Sequence, residues 1–214
     1  MALACAAAGA ALIYISTDFV FDGKKKKPYK ETDRTGPLNV YGDSKLKGEA
    51  AVKKAAKRYL ILRTSWLYGK HGKNFVDTII GKAKTVKVIK VVDDQVGSPT
   101  YTKDLAKAIH VLIHRVGGDV GSNASPARWA SKPRRWAGIY HISNSGSVSW
   151  FDYAKEILRL AGSKTKVVPI SSRELARPAR RPTMSVLDNS KFNRFTGYKM
   201  RHWRKALKEY VQQA

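Results

Sequence analysis

Hydrophobic and polar positions along this 214-residue chain alternate between the periods of strand and helix. Leu12 to Ser16 is apolar, contains isoleucines and ends in a small polar residue, which predicts a buried strand. An Ala-rich helix end and a turn at Gly9 are expected ahead of it. A loop with Asp22-Gly23 and Gly36-Pro37 follows, and then a helix rich in Ala, Lys and Glu from just after Tyr41 to about Arg58. Tyr59 to Arg63 reads as strand, Asn74 to Lys84 as helix and Thr85 to Val92 as strand. Thr102 is placed to cap a helix with Asp104 in its first turn and a stripe of Leu105, Ala108, Ile109, Leu112 and Ile113. Beyond a loop-like stretch, Ile139 to Ile142 is predicted as strand, Trp150 to Ala161 as helix and Lys166 to Ile170 as strand. A Pro/Arg-rich segment, Arg177 to Pro182, precedes two final helices, the last carrying Trp203, Leu207 and Val211. Strands alternating with helices indicate α/β units around a mainly parallel sheet. No internal repeat is present.

Composition narrows the class. Hydrophobic residues make up 43% of the chain, enough to bury a core. Cys5 is the single cysteine, which excludes a disulfide framework and fits a reducing compartment. Met1 to Ile15 carry no charge, yet the run lacks a basic start and is too short to span a membrane, so no targeting segment is read and the expected location is cytoplasmic. The net charge of +25 implies attraction to polyanions, either nucleic acid or phosphorylated ligands. Its densest cluster, Lys24 to Lys27, reads as a solvated loop, and no nucleic-acid motif accompanies it. Gly117 to Ala137 mixes Gly, Ser and Pro with Arg128, Trp129, Arg134, Arg135 and Trp136. A stretch of this kind either stacks nucleobases or tucks against the body as an insertion. His110 and His114 have helical spacing for a metal pair but no evident third ligand, so no metal is expected.

The chemistry is concentrated at Tyr41-Gly42-Asp43-Ser44-Lys45. At a helix start this spacing puts phenol and ammonium on one face, one turn apart. An isolated phenol titrates at about 10 and is a poor proton exchanger at neutral pH; a neighbouring ammonium favours the phenolate. Such a pair suits proton donation to a carbonyl oxygen as hydride reaches the carbon. Ser16 and Thr17, at the end of the preceding strand, can offer a hydroxyl to the same oxygen, since α/β sheets bind ligands at strand carboxyl ends. Alone, the spacing is equally that of a surface tyrosine beside a solvated lysine.

The surrounding blocks change that balance. Ser16-Thr17-Asp18-Phe19-Val20-Phe21-Asp22-Gly23, Arg63-Thr64-Ser65-Trp66, Asp94-Gln95-Val96-Gly97-Ser98-Pro99-Thr100, Arg181-Pro182 and Ser185-Val186-Leu187-Asp188 occur in order around Tyr41 to Lys45. In combination they resemble the dTDP-4-dehydrorhamnose reductase family of the extended short-chain dehydrogenase/reductase superfamily, over nearly all the chain except the 117–137 insertion. The resemblance implies a Rossmann-like, doubly wound parallel sheet, truncated at its N-terminus, with a smaller interleaved substrate-binding lobe. Residues 1–143 would be the remainder of the dinucleotide-binding domain and 144–214 mainly the lobe. It implies reduction of the C4 keto group of dTDP-4-dehydro-L-rhamnose by NADPH or NADH, giving dTDP-L-rhamnose for polysaccharide synthesis. Tyr41 would protonate the keto oxygen, Lys45 would bind the nicotinamide ribose and tune Tyr41, and Thr17 would hydrogen-bond the reacting oxygen. Thr17, Asp18 and Trp66 would contact the sugar, and Ile15 would line the cofactor through its main chain. Arg181 would contact phosphate or serve structurally. Phe19 stands where a tyrosine is more usual in that block.

One departure matters. The Gly-rich strand–turn–helix that holds a cofactor pyrophosphate on a helix N-terminus is absent from this sequence. The resemblance places Met1 within the helix before the fourth strand of the sheet, so a homodimer or a complementing N-terminal polypeptide is among the expected partners. Two other classes stay open. One is a non-catalytic binding subunit of the same fold, of the methionine adenosyltransferase regulatory type; the other is a nucleic-acid binder resting on charge.

Overall fold

A computed structural model describes residues 1–117 and 136–213. Its central layer is a three-stranded parallel sheet in the order β1 (Leu12–Thr17), β2 (Tyr59–Thr64), β7 (Gly138–His141). Alternation along β2 decides what each face meets. Leu60 and Leu62 point into a core with Leu105, Ala108 and Leu112 of helix α4 (Thr102–Val116). Ile61 points the other way, to Val52 and Ala56 at the end of helix α2 (Val40–Ala55). Arg63, two residues on, must share Ile61's face, and it does so as a buried ion pair with Glu49 of α2.

A second core lies between β3 (Leu67–Tyr68), helix α3 (Phe75–Ala83), β4 (Val88–Val92) and the later helices α5 (Trp150–Leu160) and α8 (Trp203–Gln213). β4 pairs in parallel with β9 (Lys166–Ile170), and β3 with β6 (Thr100–Tyr101). β5 (Val96–Gly97) and β8 (Val148–Ser149) form a small antiparallel ladder. Residues from 66–101 and 148–211 therefore build one core together, while Phe192 and Met200 join the core beneath the main sheet.

The remaining helices are α1 (Ala2–Ala7), the single turn α6 (Ser172–Leu175) and α7 (Ser190–Thr196). The turn expected at Gly9 is present, with φ +65°. Three expectations need correction. Strand β4 begins at Val88, not Thr85, because Thr85 and Val86 bond back to Lys82 as the helix unwinds. Helix α2 stops at Ala55. Thr102 is not the cap of α4: β6 runs straight into the helix from Tyr101, whose N–H donates to the Asn144 side chain at 2.8 Å. The tryptophan/arginine stretch falls almost wholly on residues 118–135, outside those described. At its end Trp136 is buried in the core beneath the sheet. Among the described residues no helix is long and apolar enough to cross a membrane.

Candidate active site

The N-terminus of α2 is built to a fixed position. Asn39 caps it, its side-chain oxygen accepting from Gly42 N–H at 2.9 Å, while its amide donates to the Arg180 carbonyl at 2.7 Å. Gly42 allows close approach: a Cβ there would lie 2.2 Å from the Phe19 carbonyl oxygen. Tyr41 is thereby held beside Phe19, ring edge to face at 5.9 Å, and remains 55% exposed.

Tyr41 lines a cleft of about 660 Å³ with Phe19, Leu38, Arg180 and Arg181. Arg181 also lines a neighbouring cleft of about 470 Å³, with Trp66, Phe75, Gln95, Trp150 and Arg177. Trp66 adopts φ +47° and stacks on Trp150 with 3.5 Å between ring centroids. Its indole lies against Gly97, where a Cβ would come within 2.4 Å. Burial and the facing charge of Arg177 lower the Arg181 pKa, the signature of two guanidinium groups sharing one wall. A cleft of that character attracts an anion of more than one charge.

Lys45 lies one turn along α2, its ammonium 4.6 Å from the centre of the Tyr14 ring. Ile15 is 37% exposed on β1. Thr17 ends that strand, buried; its hydroxyl donates to Asp18 Oδ1 at 3.1 Å and accepts from Phe19 N–H at 3.2 Å. Asp18 is 2% exposed and sits behind Thr17. Burial pushes its carboxyl up to about 7, with hydrogen bonds from Ser185 and Thr17 opposing the shift. The fold thus gathers Tyr41 and Arg181 on one cleft and Trp66 and Arg181 on the next. Ile15, Thr17, Asp18 and Lys45 line neither. His110 and His114 meet edge to face on α4, and no group of three metal-ligating side chains occurs among the described residues.

Several residues escaped sequence reasoning. Glu49 anchors α2 from below: it is fully buried, receives Arg63 through bonds of 2.8 and 2.7 Å and takes the Ser16 hydroxyl at 2.6 Å. Trp150 pairs with Trp66 although the two stand far apart in the chain. Tyr14 underlies Lys45. Only Glu49 carried a signal, as an acidic residue eight positions after Tyr41 and four after Lys45, on the same helix face.

Comparison with known proteins gives the family and the fold. The family model described as the RmlD substrate binding domain matches residues 1–214. The chain is 41% identical over 205 residues to the spore coat polysaccharide biosynthesis protein SpsK of Bacillus subtilis, covering 96% of this chain and 65% of that protein. It is 40% identical over 215 residues to dTDP-4-dehydrorhamnose reductase of Sinorhizobium fredii, covering 99% of this chain and 69% of the relative. The crystal structure of dTDP-4-dehydrorhamnose reductase from Bacillus anthracis in complex with NADP superposes with a TM-score of 0.86 at 40% identity, covering 100% of this chain and 69% of that one. The chain therefore spans about two thirds of the length of these relatives.

Proposed function

This chain belongs to the RmlD substrate binding domain family, and from that premise we propose that it reduces the C4 keto group of dTDP-4-dehydro-L-rhamnose to give dTDP-L-rhamnose. The observation that carries the reading is the placing of Tyr41, exposed at the start of α2 on a cleft that it shares with Arg181. A phenol held there gives its proton to a keto oxygen seated in the cleft. The nicotinamide end of a cofactor suits the residues present. Ile15 leaves an apolar edge on β1, and its neighbour Tyr14 lies under the Lys45 ammonium. NADPH or NADH, when bound, supplies the hydride to C4.

The chain's own residues handle the rest. Tyr41 donates to the oxygen that gains charge, and Lys45 would hold the ribose hydroxyls of the bound cofactor. Thr17, whose hydroxyl donates to Asp18 here, would hydrogen-bond the reacting oxygen once substrate is seated. Arg177 and Arg181 match the two negative charges of a diphosphate, and Trp66 offers the sugar an aromatic wall. Asp18 is buried and lines neither cleft, so a sugar contact by it has no place in this reading. In this reading residues 1–143 supply the proton-transfer groups and residues 144–214, mainly the substrate lobe, supply the arginines. The pyrophosphate end of the cofactor needs a Gly-rich turn. A complementing polypeptide or a further stretch of the same protein would provide it.

The test is NADPH oxidation dependent on dTDP-4-dehydro-L-rhamnose by the chain completed with a Gly-rich strand–turn–helix segment. Tyr41→Phe should lower turnover by roughly 10²- to 10⁴-fold, the usual contribution of a general acid, with cofactor affinity nearly unchanged. Turnover close to wild type would remove Tyr41 from the role. Absence of sugar-dependent oxidation by that completed protein would instead favour a non-catalytic binding subunit.

A further inference from the structure

Three observations converge on Tyr14, a residue outside every motif block. Its ring lies under the Lys45 ammonium, 4.6 Å from centroid to Nζ. Its hydroxyl donates to the Lys45 carbonyl oxygen at 3.3 Å. Gly48 leaves the room this needs, since a Cβ there would lie 2.1 Å from the Tyr14 oxygen. One side chain therefore touches both ends of a single lysine, through the ring face and through the phenol.

The geometry follows from the strand. Leu12, Tyr14 and Ser16 alternate onto the β1 face that packs on α2. Ser16 reaches Glu49 from that face, and Tyr14 reaches Lys45 one helical turn earlier. Burial, with Glu49 and Tyr41 nearby, raises the Tyr14 pKa, so its phenol stays protonated and remains a donor.

We propose that Tyr14 is a positioning residue for Lys45: its ring face seats the ammonium and its hydroxyl fixes the backbone beneath, so that the lysine is aimed before cofactor arrives. The proposal rests on the reductase reading for its consequence, but not for its geometry. A long flexible side chain otherwise loses rotamer freedom when it grips a ligand. Cation–π contact with a partly buried ring lowers that cost in advance.

The decisive measurement is NMR of the full chain after reductive ¹³C-dimethylation of its lysines, with the Lys45 signal assigned by its loss in Lys45→Arg. An ammonium over a ring face is shielded by the ring current. The Lys45 methyl signals should therefore lie upfield of the other lysines in the wild type and in Tyr14→Phe, and should return to the common position in Tyr14→Leu. Unshifted Lys45 signals in the wild-type chain overturn the proposal whether or not Tyr14→Leu folds. Steady-state kinetics of the chain completed with a Gly-rich segment supply the functional arm. Tyr14→Leu should raise the KM for NADPH roughly threefold to tenfold with a smaller change in kcat, and Tyr14→Phe should recover most of it. Equal KM values in wild type and Tyr14→Leu would also overturn it. If the completed wild-type protein oxidises no NADPH, the reductase reading fails, while the Lys45 methyl shifts still decide the role of Tyr14.

Discussion

Two buried titratable residues pull the pH dependence of this protein in opposite directions. His141 is fully buried on β7; its Nδ1–H donates to the Tyr29 carbonyl at 2.9 Å, and its ring meets Phe21. Burial, then the charge of Arg63, pushes its pKa down to about 3, against the opposing effects of the Tyr29 hydrogen bond and Asp188. Between that value and the unfolded value of 6.5 only the unfolded chain binds the proton. The stability from neutral His141 is thus complete above pH 6.5 and declines as pH falls toward 3. Asp18 behaves conversely. Its folded pKa of about 7 exceeds the unfolded 3.8, so its contribution is complete below 3.8 and is lost as pH rises through 7. Between 3.8 and 6.5 the two slopes oppose, each pKa unit being worth ~1.4 kcal/mol. Asp18→Asn removes one of them. Thermal unfolding from pH 7 to pH 4 should then show a steeper loss toward acid than the wild type shows, and parallel profiles would refute the assignment. Neither residue's environment was legible in the sequence. His141 looks like an ordinary strand-end histidine, and Asp18 like an exposed ligand contact, because burial depends on segments near residues 29 and 185 that no local pattern links to them.

At the scale of elements, glycines within helices separate propensity from packing. Replacing a helical glycine by alanine ordinarily gains roughly 0.5–1 kcal/mol. Gly81 in α3 has open space around its would-be Cβ, so Gly81→Ala should stabilise by about that amount. Gly42 in α2 faces the Phe19 backbone oxygen at 2.2 Å, and a backbone atom cannot yield as a side-chain end can. There the clash outweighs propensity, so Gly42→Ala should destabilise and displace Tyr41. Denaturant midpoints for the two variants should move in opposite directions; a shared direction would refute the packing account. The long helices and the strands of the main sheet were legible because their apolar spacing persists over several turns or pleats. The two-residue ladders β3–β6 and β5–β8 were not, since two residues carry no period. Among the described residues the parallel sheet has three strands, and β3–β6, β4–β9 and β5–β8 stand as separate two-stranded ladders. The candidate site divides in the same way. Tyr41 and Lys45 are neighbours on one helix, whereas the Trp66–Trp150 stack depends on β5 and β8 pairing across about fifty residues of chain.

Over the whole molecule the dominant quantity is charge: 41 Lys and Arg less 16 Asp and Glu leaves +25. Many of the acids are already committed. Glu49 is buried with Arg63, Asp104 and Glu209 share Arg201, and Asp33, Asp43 and Glu156 pair with cations on their own segments. The unmatched cations repel one another across the surface, and long-range repulsion is what salt screens most. The Debye length falls from ~30 Å at 0.01 M to ~8 Å at 0.15 M ionic strength. Exposed pairs such as Lys47–Asp43 lose little on screening because each contributes only about 0–1 kcal/mol. The relief of repulsion should therefore win, and Tm should rise between those two salt concentrations. Screening alone depends on ionic strength, whereas the arginine-lined cleft distinguishes anions by shape and charge. At matched ionic strength pyrophosphate should stabilise the wild type beyond chloride, and the excess should shrink in Arg177→Gln and Arg181→Gln. Equal Tm values in the two salts would show that the charge acts only as a diffuse field. An excess that survives both substitutions would place the anion elsewhere on the basic surface.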